Sequence, residues 1–251
     1  MLEVSGLSKR FGGLSALTDV SFAIGRGEIM SLIGPNGAGK TTCLNLITGF
    51  YRPSAGRVRY GGDDITGAAP HVIAQRGLVR TFQKTNVLRR LTVFGNVLTA
   101  RYRYGETSLW RTFFGRGGAR ERQLRDEAAA LIEAVGLGAR MNAETDSLSC
   151  GELRLLEVAV ALGAGPRLLM LDEPAAGLNT REAEQLGRIL KDLTGTHVES
   201  ILLVEHNMAL VMAISDRIVV LDFGRRIAEG APADVRANPE VIAAYLGKPA
   251  A

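Results

Sequence analysis

Cysteine is scarce in this chain. Two residues in 251, Cys43 and Cys150, make no disulfide framework, and the three histidines and two cysteines form no cluster with zinc spacing. A fold stapled by bridges or by a structural zinc is therefore excluded. Both thiols read as small, semi-apolar residues of a reducing compartment, and neither is expected to be catalytic. No run of about 18 apolar residues occurs, so no helix is expected to cross a bilayer. The opening "MLEVSGLSKRFGG" has no apolar core after a basic start, which predicts no secretory leader and a cytoplasmic location. Repeats and low-complexity tracts are also missing. What remains, 46% hydrophobic and 22% charged residues, is ordinary globular composition, enough for one large domain or one domain with a small lobe.

The net charge of +4 is uneven. Seven arginines between Arg101 and Arg125 stand against Glu106 and Glu121, a local excess of five, and the other residues nearly balance. Basicity is one patch rather than a global property, so no nucleic acid is expected as a partner. The patch reads first as a solvated insertion. A sharper alternative places it beside anionic lipid headgroups.

Short β-like runs open the chain: "LEVSGL", "ALTDVSFAI" and "GEIMSLIG". "CLNLITGF" has helical spacing, and "GRVRYGGDDI" and "GLVRTFQ" read as strands. Over 84–163 the pattern turns helical, in "LTVFGNVLTARY", "ERQLRDEAAALIEAVGL" and "CGELRLLEVAVALG", around an irregular middle, "RYGETSLWRTFFGRGGA". "RLLMLDEP" and "ESILLVEH" are nearly uninterrupted apolar runs ending in acids, as parallel strands buried on both faces would be. "REAEQLGRILKDL" supplies a crossover helix, "RIVVLDFGRRIAEG" a strand pair, and "VRANPEVIAAYLG" a closing helix.

"GPNGAGKT", Gly34 to Thr41, lies between a predicted strand and helix and fits a phosphate-binding loop. Its backbone N–H groups would surround phosphate oxygens, Lys40 would supply a point charge, and Thr41 would ligate Mg²⁺. "LLMLDEP" puts Asp172 and Glu173 at the tip of a buried strand, where open α/β sheets place ligands. Asp172 suits Mg²⁺, and Glu173 suits orienting a water. Gln83 can touch metal and water together, His206 can reach a terminal phosphate, and Phe11 can lie against a purine. Each of these three, taken singly, reads more readily as structural: a polar strand end, a satisfied histidine and a core aromatic. His71 and His197 carry only that plain reading. "LSCGE", Leu148 to Glu152, is a second turn into a helix N-terminus of the kind that attracts anions.

"GPNGAGKTT", "FQ", "LSCGE", "LLMLDEP", "AGLN" and "EH" stand in the order and approximate spacing of the ATP-binding subunits of ABC transporters, a resemblance that runs over essentially the whole chain. "LSKRFGGLSAL", "LITGFYRPSAGRV", "PAAGLN" and "VIAAYLG" resemble the branched-chain amino acid uptake group, especially its longer ATPase subunit, and the urea-type importers are also similar. The resemblance implies a P-loop NTPase fold of the α/β class: a mixed, largely parallel core sheet, an N-terminal antiparallel β subdomain, and a helical subdomain inserted over about 84–163 of a single domain, 1–251. It implies ATP and Mg²⁺ as ligands. Gly34, Pro35, Asn36, Gly37, Ala38, Gly39, Lys40, Thr41 and Thr42 would cradle the phosphates, with Phe11 on the adenine. Thr41, Gln83 and Asp172 would serve the metal, and Glu173, His206, Gln83 and Lys40 catalysis. Ser149, Gly151 and Glu152 would cap the nucleotide of a second ATPase subunit packed head to tail.

Two membrane permease subunits, and indirectly a solute-binding protein, are the other implied partners, with the chain peripheral on the inner face of the membrane. Four positions depart from the common pattern: Cys150 for glycine, Glu152 for glutamine, Leu153 for a polar residue, and Asn179 for aspartate. A urea or other amide importer is the nearest rival. A non-transport ABC ATPase on nucleic acid or the ribosome would show a salt-steep affinity for DNA or RNA. A regulator that binds ATP without cleaving it would form no ADP, and an exporter subunit is a further rival within the class.

Overall fold

The computed structural model describes residues 1–81, 87–102 and 117–246, with the side chains of Gly117 and Leu246 outside the description. Strands β1 (Leu2–Phe11) and β2 (Leu14–Ile24) form an antiparallel hairpin. β4 (Ala55–Tyr60) and β5 (Asp63–Asp64) extend it in the order β2-β1-β4-β5. Alternation drives this sheet: Leu2, Val4 and Leu7 are buried while Glu3 and Ser5 between them are not.

The second sheet runs β10-β9-β3-β8-β7-β6. β3 (Ile29–Ile33), β6 (Leu78–Arg80), β7 (Leu168–Asp172), β8 (Ser200–Val204) and β9 (Arg217–Asp222) are parallel, and β10 (Arg225–Gly230) is an antiparallel edge. Every residue of β3, β7 and β8 is buried, as their nearly unbroken apolar runs require. β8 lies between β3 and β7, so the loops that leave these three strands emerge side by side.

Helix α1 (Lys40–Ile47) follows β3, and the short α2 (Pro70–Gln75) precedes β6. α3 (Val93–Arg101), α4 (Gly117–Ala134) and α5 (Cys150–Gly163) pack together through Val93, Val97, Ala128, Ile132, Leu156 and Ala159. Their core is continuous with Leu169 and Leu171 of β7 and with Leu186 and Leu190 of α6 (Thr180–Leu193). α7 (Met208–Ile214) follows β8.

Three expectations need correction. The closing helix is two, α8 (Pro232–Ala237) and α9 (Pro239–Leu246). Asn238, extended at ψ 121° as the residue before proline must be, ends one helix and accepts from Glu240 N at 2.8 Å to start the next. Gly117–Ala119 open α4 instead of ending a loop, while 103–116, with Arg103, Arg111 and Arg116, lie outside the described residues. The strand in "GLVRTFQ" is only three residues long, and Gln83 lies outside the described residues. Of the basic patch, Arg101 pairs with Glu127 and donates to the Gly163 carbonyl, and Arg125 pairs with Glu121. These two arginines serve intramolecular contacts.

Candidate functional site

β3 ends at Ile33 and the chain curls through Gly34–Gly39 into α1. Two glycines are obligatory here. A Cβ on Gly34 (φ 151°) would sit 2.1 Å from the Leu221 carbonyl, and one on Gly39 (φ 100°) 2.8 Å from that of Ala16. Backbone bonds Gly224 N to Ala38 O (3.1 Å) and Thr18 N to Gly224 O (2.8 Å) lash the loop to the β9–β10 turn and to β2. Lys40 is 7% exposed, and its Nζ donates to the Gly34 and Pro35 carbonyls at 2.7 and 3.0 Å. Burial lowers its pKa, opposed by the nearby charges of Glu173 and Asp172.

The loop faces an open cleft of about 490 Å³ lined by Asn36–Thr42, Leu14–Ala16, Glu173 and Phe223. Thr41 is exposed to it. Phe11 is not in this lining: its ring, 42% exposed, meets Tyr51 edge-on at 5.3 Å, with Lys9 Nζ 5.0 Å from its centroid. An aromatic that sequence reasoning missed, Phe223, stands 87% exposed at the rim with φ 42°.

Asp172 closes β7 almost wholly buried. Its Oδ2 accepts from Arg80 Nη2 at 2.8 Å, and Arg80 Nη1 donates to Asn45 of α1 at 2.6 Å, a bridge from β6 to the phosphate-loop helix. Asp172 Oδ1 is buried without a hydrogen-bond partner among the described residues. An orphaned carboxylate oxygen beside a phosphate loop fits a hydrated divalent cation. Among the described residues no three His, Cys, Asp or Glu side chains converge on one point. A Mg²⁺ ion would thus be held by Thr41, Asp172 and the phosphates it accompanies.

Glu173 follows with φ 53°, a left-handed backbone unusual outside glycine. Its N–H donates to the Val204 carbonyl at 2.8 Å, and its Oε2 lies 4.0 Å from His206 Nδ1. The adjacency of β7 and β8 brings these two groups together. Arg80 and Glu205 also belong to this neighbourhood and were missed from sequence. Both sit at strand ends, and an acid or a base closing an apolar run is the signal that points to them.

The second turn lines a different cavity. Ser149 caps α5 in a reciprocal arrangement: its Oγ accepts from Glu152 N at 3.2 Å, and its own N–H donates to Glu152 Oε2 at 2.8 Å. Glu152 also pairs with Arg140 at 3.0 Å. Gly151 is buried against Glu182, which a Cβ would approach to 2.9 Å. The cavity beneath, lined by Leu137, Arg140, Ser149, Gly151, Glu152 and Leu178 among others, shares no residue with the phosphate-loop cleft. Asn179 caps α6 with its own box to Glu182, a task asparagine performs as well as aspartate. Cys150 is exposed, and a Cβ built on Gly177 would touch its Sγ at 3.4 Å.

A family model described as ABC transporter matches residues 17–176, and one described as branched-chain amino acid ATP-binding cassette transporter matches residues 225–251. The chain belongs to the ABC transporter family. Among its relatives, the ABC ATPase is 44% identical over 250 residues to the high-affinity branched-chain amino acid transport ATP-binding protein BraF of Pseudomonas aeruginosa. The match covers 99% of this chain and 98% of that protein. LivG of Salmonella typhimurium, with the same description, matches at the same identity and coverage. A crystal structure of the ADP conformation of an ATP-binding cassette superposes with a TM-score of 0.86 at 31% identity, covering 99% of each chain. The α/β P-loop architecture read from the motifs is thus that of an ABC cassette.

Proposed function

We propose that this ABC ATPase powers the uptake of branched-chain amino acids, binding Mg²⁺ and ATP in the phosphate-loop cleft and hydrolysing ATP only when two cassettes close on it. The observation that carries the reading is the separation of the two anion-binding turns into cavities with no common residue. Each is half of a site, completed by a second chain packed head to tail. The solute follows from what the BraF and LivG relatives are named for.

In this reading the loop amides and Lys40 hold the phosphates, and Gln83 reports on metal and water. Phe11, outside the cleft lining but exposed and paired across the hairpin with the lining residue Leu14, takes the adenine at the cleft's edge. Mg²⁺ bound at Thr41 and Asp172 would neutralise phosphate charge. Glu173 orients the attacking water, and His206 holds the γ-phosphate in line. From the other chain, the Ser149 hydroxyl donates to the γ-phosphate: its oxygen already accepts an amide, so its proton is free to point outward. The Gly151 amide and the positive end of α5 add to it. ADP lacks that target, so hydrolysis releases the pair.

The permease subunits dock in a mostly apolar groove of about 320 Å³ between β6, α3 and α5, lined by Val79, Val87, Ala100 and Val160. No helix among the described residues is long and apolar enough to cross a membrane, which suits a subunit peripheral on its inner face. The test of the whole reading is uptake by vesicles that carry this chain with its permease subunits and solute-binding protein. ATP-dependent accumulation of leucine, isoleucine or valine is expected, and its absence while ATP is consumed would count against the solute.

The two thiols probe the site separately. Burial pushes the Cys43 thiol up to about 12, whereas Cys150 is exposed beside the capping serine. Iodoacetamide near pH 8 should modify Cys150 and spare Cys43. The Cys150 adduct should cut hydrolysis at least about tenfold by obstructing closure, with nucleotide binding to the single chain retained. Mass spectrometry of the adduct, paired with rate and affinity, checks both halves.

A further inference from the structure

Glu205 is a carboxylate with no exposure, wedged between the two strand ends that carry the reacting groups. Its Oε1 accepts from Ala175 N at 2.7 Å, and its Oε2 from His206 N and Asn207 N at 3.0 and 3.1 Å. Among the described residues no cation pairs with it. A buried carboxylate survives only if its oxygens are satisfied, and here backbone amides from two different loops do so.

β7 and β8 run in register to Asp172 and Val204, after which both chains turn. The turn after β7 puts Glu173 in a left-handed conformation that nothing in its own side chain favours. Ala176 N closes that turn on Glu173 O at 3.1 Å, and two bonds tie it to the β8 side: Glu173 N to Val204 O, and Ala175 N to Glu205 two residues on. The turn after β8 is held by the other oxygen of the same carboxylate. His206 has a side chain 61% exposed, so packing does little to orient it and its backbone anchorage matters more. Asn207 then caps α7, accepting from Leu210 N at 3.1 Å, so His206 stands between a staple and a fixed helix end.

We infer that Glu205 is a positioning residue for hydrolysis, clamping the Glu173 turn and the His206 turn in one geometry by bonding the backbone of both. The inference rests on the reading of Glu173 as the water-orienting carboxylate. A carboxylate is required because acceptors must face amides on both sides. Glutamine has the same shape, but its NH₂ would confront an N–H.

The test is Glu205→Gln in the full-length chain, with ATP affinity and kcat measured separately. The expected result is affinity within about threefold of the parent and kcat lower by at least about tenfold, because misplacing a reacting group costs rate more than ground-state binding. Leu190→Ala, a core change on α6 outside the lining of this cleft, is the control: at a comparable loss of Tm it should keep its kcat. In the background of Glu173→Gln, adding Glu205→Gln should slow turnover by a smaller factor than it does in the parent, because only the His206 share of its effect remains. If glutamine prevents folding, Glu205→Asp, which keeps both acceptors one methylene short, carries the same expectation. A kcat within about twofold of the parent while Glu173→Gln is inactive overturns the inference alone. An equal fall in affinity and kcat overturns it too, by showing general collapse. Normal turnover in Glu173→Gln itself would instead remove the reading on which it rests.

Discussion

Glu173→Gln is expected to reduce ATP turnover roughly a thousandfold while leaving MgATP bound, and to accumulate a stable two-chain, ATP-loaded species. Glu173 lies in the lining of the phosphate-loop cleft, and its carboxylate is within 4.0 Å of His206. The amide keeps the shape and loses the basicity that aligns a water for in-line attack. It also removes a negative charge from beside a triphosphate, so affinity should hold or rise. Single-turnover measurement of γ-phosphate release, with size-exclusion chromatography in ATP, reads both effects. Turnover within about tenfold of the parent would place the critical carboxylate elsewhere.

Lys40→Ala has the second largest expected effect, on binding rather than chemistry. Lys40 Nζ donates to the Gly34 and Pro35 carbonyls in a pocket that leaves it 7% exposed. Its pKa is lowered by that burial, and an incoming triphosphate would oppose that shift by stabilising the charged form. Alanine removes both the ammonium charge that meets the phosphates and the bonds that shape the loop, so ATP affinity should fall about a hundredfold, or ~2.7 kcal/mol. Lys40→Arg should not restore it, since a planar guanidinium needs more room than this slot gives. Calorimetric titration with ATP checks the pair. An alanine variant that binds within about threefold of the parent would mean the loop amides suffice.

Much of this was legible in the residues because it rests on local rules. The glycines of "GPNGAGKT" announce close backbone approach, and Gly34 and Gly39 do abut the carbonyls of Leu221 and Ala16. The apolar runs of β3, β7 and β8 announce burial on both faces. "CGELRLLEVAVALG" is α5 residue for residue, since Ser149 and Glu152 form a capping box that can be read three positions apart. The family and its ATPase activity followed from the order of such pieces.

What escaped depends on partners distant in sequence. Arg80 looks like an ordinary strand residue until β7 brings Asp172 beside it, 92 positions away. Glu205 looks like part of an "EH" pair until the register of β7 and β8 delivers the Ala175 amide. The left-handed backbone of Glu173 has no signature in an "LDEP" string. α2 and α7 are single short helices held by tertiary packing, too brief for a period to emerge. The split of α8 from α9 was readable in "ANPE", where proline restrains the residue before it.

The central claim, that hydrolysis takes place between two chains, meets its most direct test in dilution. ATP turnover per chain should be measured across a concentration series that spans the dimer-to-monomer transition followed by sedimentation. The account predicts that turnover per chain falls with the dimer fraction and approaches zero in the monomer, with ATP still bound. Constant turnover per chain down to concentrations where only monomer sediments would contradict it.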